Sequence, residues 1–228
     1  MLENDQAERE KREAAKRRDD GSVQSACKEQ TDNKIQESYQ EQQELPDWDL
    51  VFGAGIETLD QFSDLWISCD NPQTESIIQE FASTDQTWIS FSALPLVIMY
   101  NTNVVTYREL PVDWESLLEP RWRGRVAFVD PEMSDIGGFA LTAAHLTCPD
   151  RENYVGELAK NLDFQTLRSL NQVNEGILDG RYSVGVTSEE AAQALRVDGA
   201  DVDYIYPEEG TAAVLDGTAV RAGSSHEG

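Results

Sequence analysis

From Pro46 onward the chain alternates short apolar runs with amphipathic stretches. Asp49-Leu50-Val51-Phe52 ends at Gly53-Ala54-Gly55, which reads as a strand feeding a glycine loop. A short helix is expected over about 56–65. Thr87 to Phe91 and Leu94 to Tyr100 read as two strands, and Trp114, Leu117 and Leu118 share one face of a helical turn. Arg125 to Val129 reads as a strand. Asp130-Pro131-Glu132-Met133-Ser134-Asp135-Ile136-Gly137-Gly138 is rich in turn formers and predicts a loop running into an apolar helix, Phe139 to Leu146. Further helices are expected at about 150–161 and 170–179, the second closed by Gly180 as a C-cap. Tyr182 to Val186 reads as a strand. Thr187-Ser188-Glu189-Glu190 then opens a helix over 189–198, with hydroxyls at the cap and acids in the first turn. Val202 to Tyr206 and Ala212 to Val220 complete the strands. Strands alternating with helices predict an α/β fold with mixed or parallel sheets.

Residues 1–45 differ in pattern. Positions 2–18 are rich in Glu, Lys, Arg and Ala, which favour helix, yet they carry no apolar stripe. Positions 19–45 are mostly polar. The expectation is a frayed helix and a disordered arm.

Charge sharpens this division. The chain of 228 residues has a formal net charge of −25. Residues 1–45 hold 8 basic and 12 acidic side chains, and residues 46–228 hold 10 and 31, so the folded part carries most of the charge. Such a surface repels nucleic acid and anionic membranes, which excludes both as main partners. Lys160 is the one lysine after residue 45. An arginine-over-lysine, acidic surface fits adaptation to high salt, and it fits an ordinary acidic protein too. No apolar run reaches membrane-spanning length, so no direct insertion is expected, and no signal peptide is visible at the start.

Catalytic signatures are sparse. Cys27, Cys69 and Cys148 are far apart, which allows one disulfide at most and fits buried or free thiols. His145 sits in an apolar helical pattern and reads as structural, while His226 lies in a polar tail. Neither a metal site, a nucleophile–base pair nor a cofactor loop is legible, so no enzyme, metal or cofactor is expected. Trp66, Trp88, Trp114 and Trp122 read as packing residues.

Three strand-to-loop junctions suit a ligand: Gly53-Ala54-Gly55, Ser134 to Gly138, and Thr187-Ser188. In open α/β sheets ligands lie outside the carboxyl ends of strands, where helix N-termini offer free N–H groups and partial positive charge. Glycine lets the backbone approach closely, and hydroxyls add donors. Each junction also has a plainer use as a turn or cap.

The stretch WESLLEPRWRGRVAFVDPEMSDIGGF, Trp114 to Phe139, is more specific than any single loop. It resembles the central region of the extracellular solute-binding proteins of ABC importers, in the iron(III)/spermidine-putrescine/phosphonate-type group. Asp49 to Gly55 resembles their first glycine loop, and LVIMYNT at Leu96 to Thr102 their crossover strand. GRYSVGVTSEE at Gly180 to Glu190 and IYPEEGTAAVLDGT at Ile205 to Thr218 match in order too, so the resemblance covers about residues 47–222. It implies a periplasmic-binding-protein fold of the second type, with lobe 1 from about 46–95 and 207–228 and lobe 2 from about 96–206. The resemblance also implies a ligand cleft between lobes, a hinge at the crossover strands, a first lobe left incomplete by the chain's length, and a periplasmic or extracellular location.

By that resemblance Gly53, Ala54 and Gly55 belong to the first-lobe loop. Ser134, Asp135, Gly137 and Gly138 belong to the anion loop of the second lobe, and Thr187, Ser188 and Glu189 to its neighbouring helix start. The implied partners are a small-molecule ligand and ABC permease subunits. Two departures bear on the ligand. The chain has no Tyr-Tyr pair, the iron-binding signature of many members. Asp135 stands where a small residue is usual, and with Glu189 it favours a cationic or amphoteric solute. The alternative is a truncated relative acting as a sensor or interaction domain.

Overall fold

The computed structural model describes residues 32–36, 49–68, 81, 83–148 and 151–224. The strands are β1 (Leu50–Gly55), β2 (Trp88–Asn101), β3 (Val126–Ala127), β4 (Val184–Ser188), β5 (Val202–Ile205) and β6 (Ala213–Val220). The helices with them are α1 (Ile56–Gln61), α2 (Asp135–Thr147), α3 (Arg151–Asn161), α4 (Leu170–Leu178) and α5 (Glu189–Val197). The chain divides into a large unit, Leu94–Val214, and a small unit drawn from Asp20–Ala93 and Leu215–Gly228. β2 and β6 both run from one unit into the other.

The large unit is built on a mixed sheet, as the alternation of elements predicts. β4 pairs antiparallel with β2 and parallel with β3, and β5 pairs antiparallel with β2. Along β2, Leu96 and Ile98 enter a core with Trp114, Leu117, Trp122, Phe128 and Tyr154. Val97 and Met99 enter another with Val173, Ile177, Ala192 and Leu195. Side chains of a strand alternate between faces, so an unbroken apolar run is what a strand covered on both faces requires. Helices α2 and α3 cover one face, and α4 and α5 cover the other.

In the small unit β1 pairs antiparallel with β6, and β6 lies between β1 and β2. Val51, Ala54, Leu59, Phe62, Trp66, Trp88 and Ala219 form its core. The indole of Trp66 donates to the Leu59 carbonyl at 3.0 Å and that of Trp88 to Asp60 Oδ1 at 2.7 Å, so both rings are buried without a lost hydrogen bond.

Several boundaries differ from expectation. β2 is one strand, not two, because Ser90 donates to the Asp216 carbonyl and Ser92 to the Asp216 carboxylate. Gly53–Gly55 is not a loop but the end of β1, with a bulge between Phe52 and Ala54 and Gly53 at φ +81°. Helix α2 starts at Asp135, four residues before Phe139, so Gly137 and Gly138 are helical. β3 has two ladder residues, and the run continues to a bridge between Val129 and Leu167. Within the stretch expected to be disordered, residues 32–36 form a helical turn whose Ile35 is buried in the small unit's core. A single apolar residue among polar ones gives no periodic signal for such a contact. His145 lies on the exposed face of α2 rather than in the core. The remainder of 1–45, Cys27, Cys69 and His226 lie outside the described residues.

The two adjacent glycines of α2 separate packing from helix propensity. A Cβ on Gly137 would sit 2.6 Å from the Val129 carbonyl oxygen and 3.0 Å from Pro131, both backbone. A Cβ on Gly138 would meet nothing within 4 Å. Gly137→Ala is expected to destabilise by about 1–3 kcal/mol. Gly138→Ala is expected to be neutral or to stabilise by up to about 1 kcal/mol, the propensity gain of Ala over Gly. Urea unfolding midpoints of the two variants check this, and equal effects would contradict it.

Candidate functional site

Strand directions within the large unit bring three carboxyl ends to one edge of the sheet. β3 runs parallel to β4, and β5 runs antiparallel to β2, as β4 does. The residues that follow are therefore neighbours along that edge: Asp130 to Ser134 after β3, Glu189 after β4, and Tyr206 after β5. Helices α2 and α5 both start there.

The turn before α2 is organised by Asp130. Its carbonyl accepts from the amides of Met133 and Ser134, both at 3.0 Å. Its carboxylate accepts from the Glu132 amide at 2.9 Å and the Thr166 hydroxyl at 2.8 Å. These bonds fix Ser134 at the N-cap of the 13-residue α2. The Ser134 side chain makes no cap hydrogen bond, so its hydroxyl remains available beside the first-turn amides. Asp135 is exposed, and Gly137 is buried beneath Val129 and Pro131. Gly138 is half-buried, and its carbonyl accepts from the Thr142 hydroxyl at 2.9 Å.

At the start of α5 the hydroxyls are committed to structure. Thr187 is fully buried and donates to Asn174 Oδ1 at 2.8 Å. Ser188 caps α5 by accepting from the Ala191 amide at 3.3 Å. Thr187 and Ser188 are the last two residues of β4, and each hydroxyl makes one hydrogen bond within the protein. Glu189 is half-buried and accepts a hydrogen bond from the Tyr206 phenol. That bond, then burial and the nearby carboxylate charge, push the Tyr206 pKa up to about 12. Tyr204 donates to Gln193 Oε1 at 3.2 Å and meets the Tyr206 ring edge-on at 5.9 Å. The Arg196 guanidinium lies 5.4 Å from the Tyr204 ring centroid.

Tyr204 and Tyr206 were not anticipated. Their spacing of two, next to Pro207 at a strand end, is the signal that marks them. In the small unit, Ala54 is completely buried and the Gly55 amide donates to Asp32 Oδ1 at 3.2 Å. Of the first glycine segment, Gly53 alone is partly open.

Among the described residues no cluster of three or more His, Cys, Asp or Glu could hold a metal ion. No described helix is long and apolar enough to cross a membrane. The Cys148 thiol is buried, and desolvation with the Glu209, Glu115 and Asp113 charges pushes its pKa up to about 11. At neutral pH it is a thiol rather than a thiolate nucleophile.

Comparison with known proteins agrees with this architecture. The model of the family described as "Bacterial extracellular solute-binding protein" matches residues 55–227. No curated protein matches the chain. A Trichodesmium protein solved with iron and citrate superposes with a TM-score of 0.69 at 17% identity, over 86% of this chain and 66% of that one. A periplasmic binding protein of Actinobacillus pleuropneumoniae, solved with fructose-6-phosphate, gives 0.68 at 19% identity over 86% and 64%. Iron-bound HitA of Pseudomonas aeruginosa gives 0.67 at 19% identity over 87% and 65%. The chain thus spans 64–66% of the length of these three solved proteins. Their fold is the second type of periplasmic-binding-protein fold, and the large and small units of this chain share it. By the match over residues 55–227 and this shared fold, the chain belongs to the bacterial extracellular solute-binding protein family.

Proposed function

We propose that the chain is the solute-capturing component of an ABC importer, acting outside the cytoplasmic membrane, with permease subunits as partners and no reaction of its own. The family match over residues 55–227 carries this reading. The carboxyl edge of the large unit's sheet supports a place for the solute. An anionic group suits the first-turn amides of α2 and the unengaged Ser134 hydroxyl, because a helix N-terminus presents N–H donors and partial positive charge. Gly138 leaves open space beside the same turn.

Two carboxylates at this edge narrow the class. Asp135 and Glu189 favour a solute that carries an amino or hydroxyl group in addition to any anion. Amino-phosphonates, sugar phosphates and polyamines meet that description. Gly53 is the residue of the first glycine segment left to contribute a close backbone contact. Ferric iron is a weaker fit, since Tyr204 and Tyr206 are not adjacent and their hydroxyls already serve Gln193 and Glu189.

Thermal denaturation with phosphonates, sugar phosphates, polyamines and ferric citrate tests this. One class should raise the midpoint, since a ligand at a hundred times its Kd stabilises by about 2.7 kcal/mol. Ser134→Ala should weaken an anionic ligand by about ten- to a hundredfold, the worth of one charge-assisted hydrogen bond. No shift with any class, in protein shown to be folded, would defeat the reading.

The Glu189–Tyr206 bond has its own test. A carboxylate facing a phenol opposes formation of the phenolate, so its removal must lower the phenol's pKa. In Glu189→Ala, Tyr206 should ionise nearer the ordinary value of about 10. Phenolate absorbance against pH, with Tyr206→Phe to assign the transition, reports it. An unchanged Tyr206 titration would separate the two residues.

A further inference from the structure

Basic side chains are scarce after residue 45, where 31 acids face 10 bases. Most of the described ones are matched. Arg121, Arg123, Arg181 and Arg196 each bond a carboxylate at 2.7–3.2 Å. Arg125 acts on the Glu109 carboxylate and helps to hold it ionised. Arg168 differs. It is exposed, and its guanidinium makes no hydrogen bond or ion pair among the described residues. A cation left over among so many carboxylates calls for an explanation.

The backbone at Arg168 is fixed. Its amide donates to Gln172 Oε1 at 2.9 Å, and Ser169 beside it caps α4 by accepting from the Gln172 amide at 3.4 Å. Leu167 makes a parallel bridge with Val129. The Leu167 amide donates to the Phe128 carbonyl at 2.9 Å, and the Asp130 amide donates to the Leu167 carbonyl at 2.7 Å. This segment therefore runs beside the end of β3 in the same direction, and Arg168 arrives next to Asp130, at the edge where α2 begins. Neighbouring extended segments lie about 4.8 Å apart. The Ser134 amide donates to the Asp130 carbonyl at 3.0 Å, so Ser134 is one hydrogen bond beyond the residue that Arg168 flanks. Alternation of side chains sets the direction. Leu167 packs with Val129, Val173 and Ile177, so Arg168 leaves the segment on the opposite side, the one that α2 covers. The Asp130 carboxylate is taken by the Thr166 hydroxyl at 2.8 Å and the Glu132 amide at 2.9 Å. Neither it nor Glu132, Asp135 or Glu189 bonds Arg168.

We infer that Arg168 is a specificity-determining residue of the solute site, the cation that takes an oxyanionic group together with the Ser134 hydroxyl and the first-turn amides of α2. This rests on the importer reading above and narrows it. A guanidinium presents paired N–H donors that match two oxygens of one phosphoryl, phosphonyl or carboxylate group, and it repels a polyamine. Asp135 and Glu189 remain for an amino or hydroxyl group on the same solute. The solute that fits carries both an oxyanion and a donor.

Isothermal titration calorimetry on the full chain tests this, with inorganic phosphate, methylphosphonate, acetate and spermidine as separate probes at one ionic strength. At least one oxyanion should bind with a millimolar or tighter Kd, and the arms identify which. Arg168→Gln should weaken that anion about ten- to a hundredfold, the worth of a charge-assisted hydrogen bond. Arg168→Lys should recover part of the loss, since it restores the charge without the fork. Arg181→Gln removes an equal charge before β4, at the other edge of the sheet, and should leave the affinity unchanged. Unfolding midpoints without ligand should stay level in Arg168→Gln, which separates lost binding from lost fold. An oxyanion bound equally well by Arg168→Gln, or spermidine bound alone, overturns the inference and leaves the importer reading standing. Binding of no oxyanion overturns it too, and the importer reading then falls only if every solute class named above also fails.

Discussion

All five residues of β4 are buried, and the large unit depends on that one condition. A strand enclosed on both faces and paired on both edges has no free side for solvent. It needs helices above and below, and it tolerates little bulk where they meet. Gly185 shows the limit. A Cβ there would lie 2.7 Å from the Ala127 carbonyl, 2.8 Å from the Ala127 side chain and 2.8 Å from Ile177. β3 and α4 close on β4 at the same point, and only glycine lets both do so.

That burial also decides which polar groups remain for a ligand. Thr187 belongs to the enclosed strand, so its hydroxyl must find a protein partner, and Asn174 supplies one. Ser188 ends the strand and begins α5, so it becomes the cap. Chemistry is pushed one residue outward, to Glu189, and across to Tyr206 beyond the end of β5. On the β3 side the chain leaves the sheet earlier, and the Asp130 turn carries Ser134 out with its hydroxyl unengaged. The same sheet that holds the large unit together thus exposes one hydroxyl and hides two.

Much of this was legible before any coordinates. The run Leu94 to Tyr100 announces a strand, and α3, α4 and α5 lie within a residue or two of their expected limits. Hydrophobic period and caps are local signals. The misses are long-range. Ser90 and Ser92 look like a break between strands until Asp216, more than 120 residues away, holds them in one. Gly137 and Gly138 look like loop residues until the Val129 carbonyl is seen to require the first of them. The site divides the same way. Ser134, Asp135 and Glu189 are legible as strand-end and helix-start residues. The use of Thr187 by Asn174, and of Tyr206 by Glu189, depends on packing that no spacing encodes.

The net charge of −25 and the local demand for donors are compatible because they act over different distances. At physiological ionic strength the field of exposed carboxylates is screened beyond about 8 Å. On the proposed function, a solute feels the whole acidic surface weakly during approach and the edge residues strongly on arrival. The segment Arg121-Trp122-Arg123-Gly124-Arg125 illustrates the second regime. Arg121 is matched by Glu119 and Arg123 by Asp163 at 3.2 Å, and both pairs are solvent-exposed, where such bridges contribute little to stability. Their effect is to cancel two charges, and the third, Arg125, interacts with the Glu109 carboxylate, which its charge helps to keep ionised. The local field on an acidic protein is then set pair by pair rather than by the net charge.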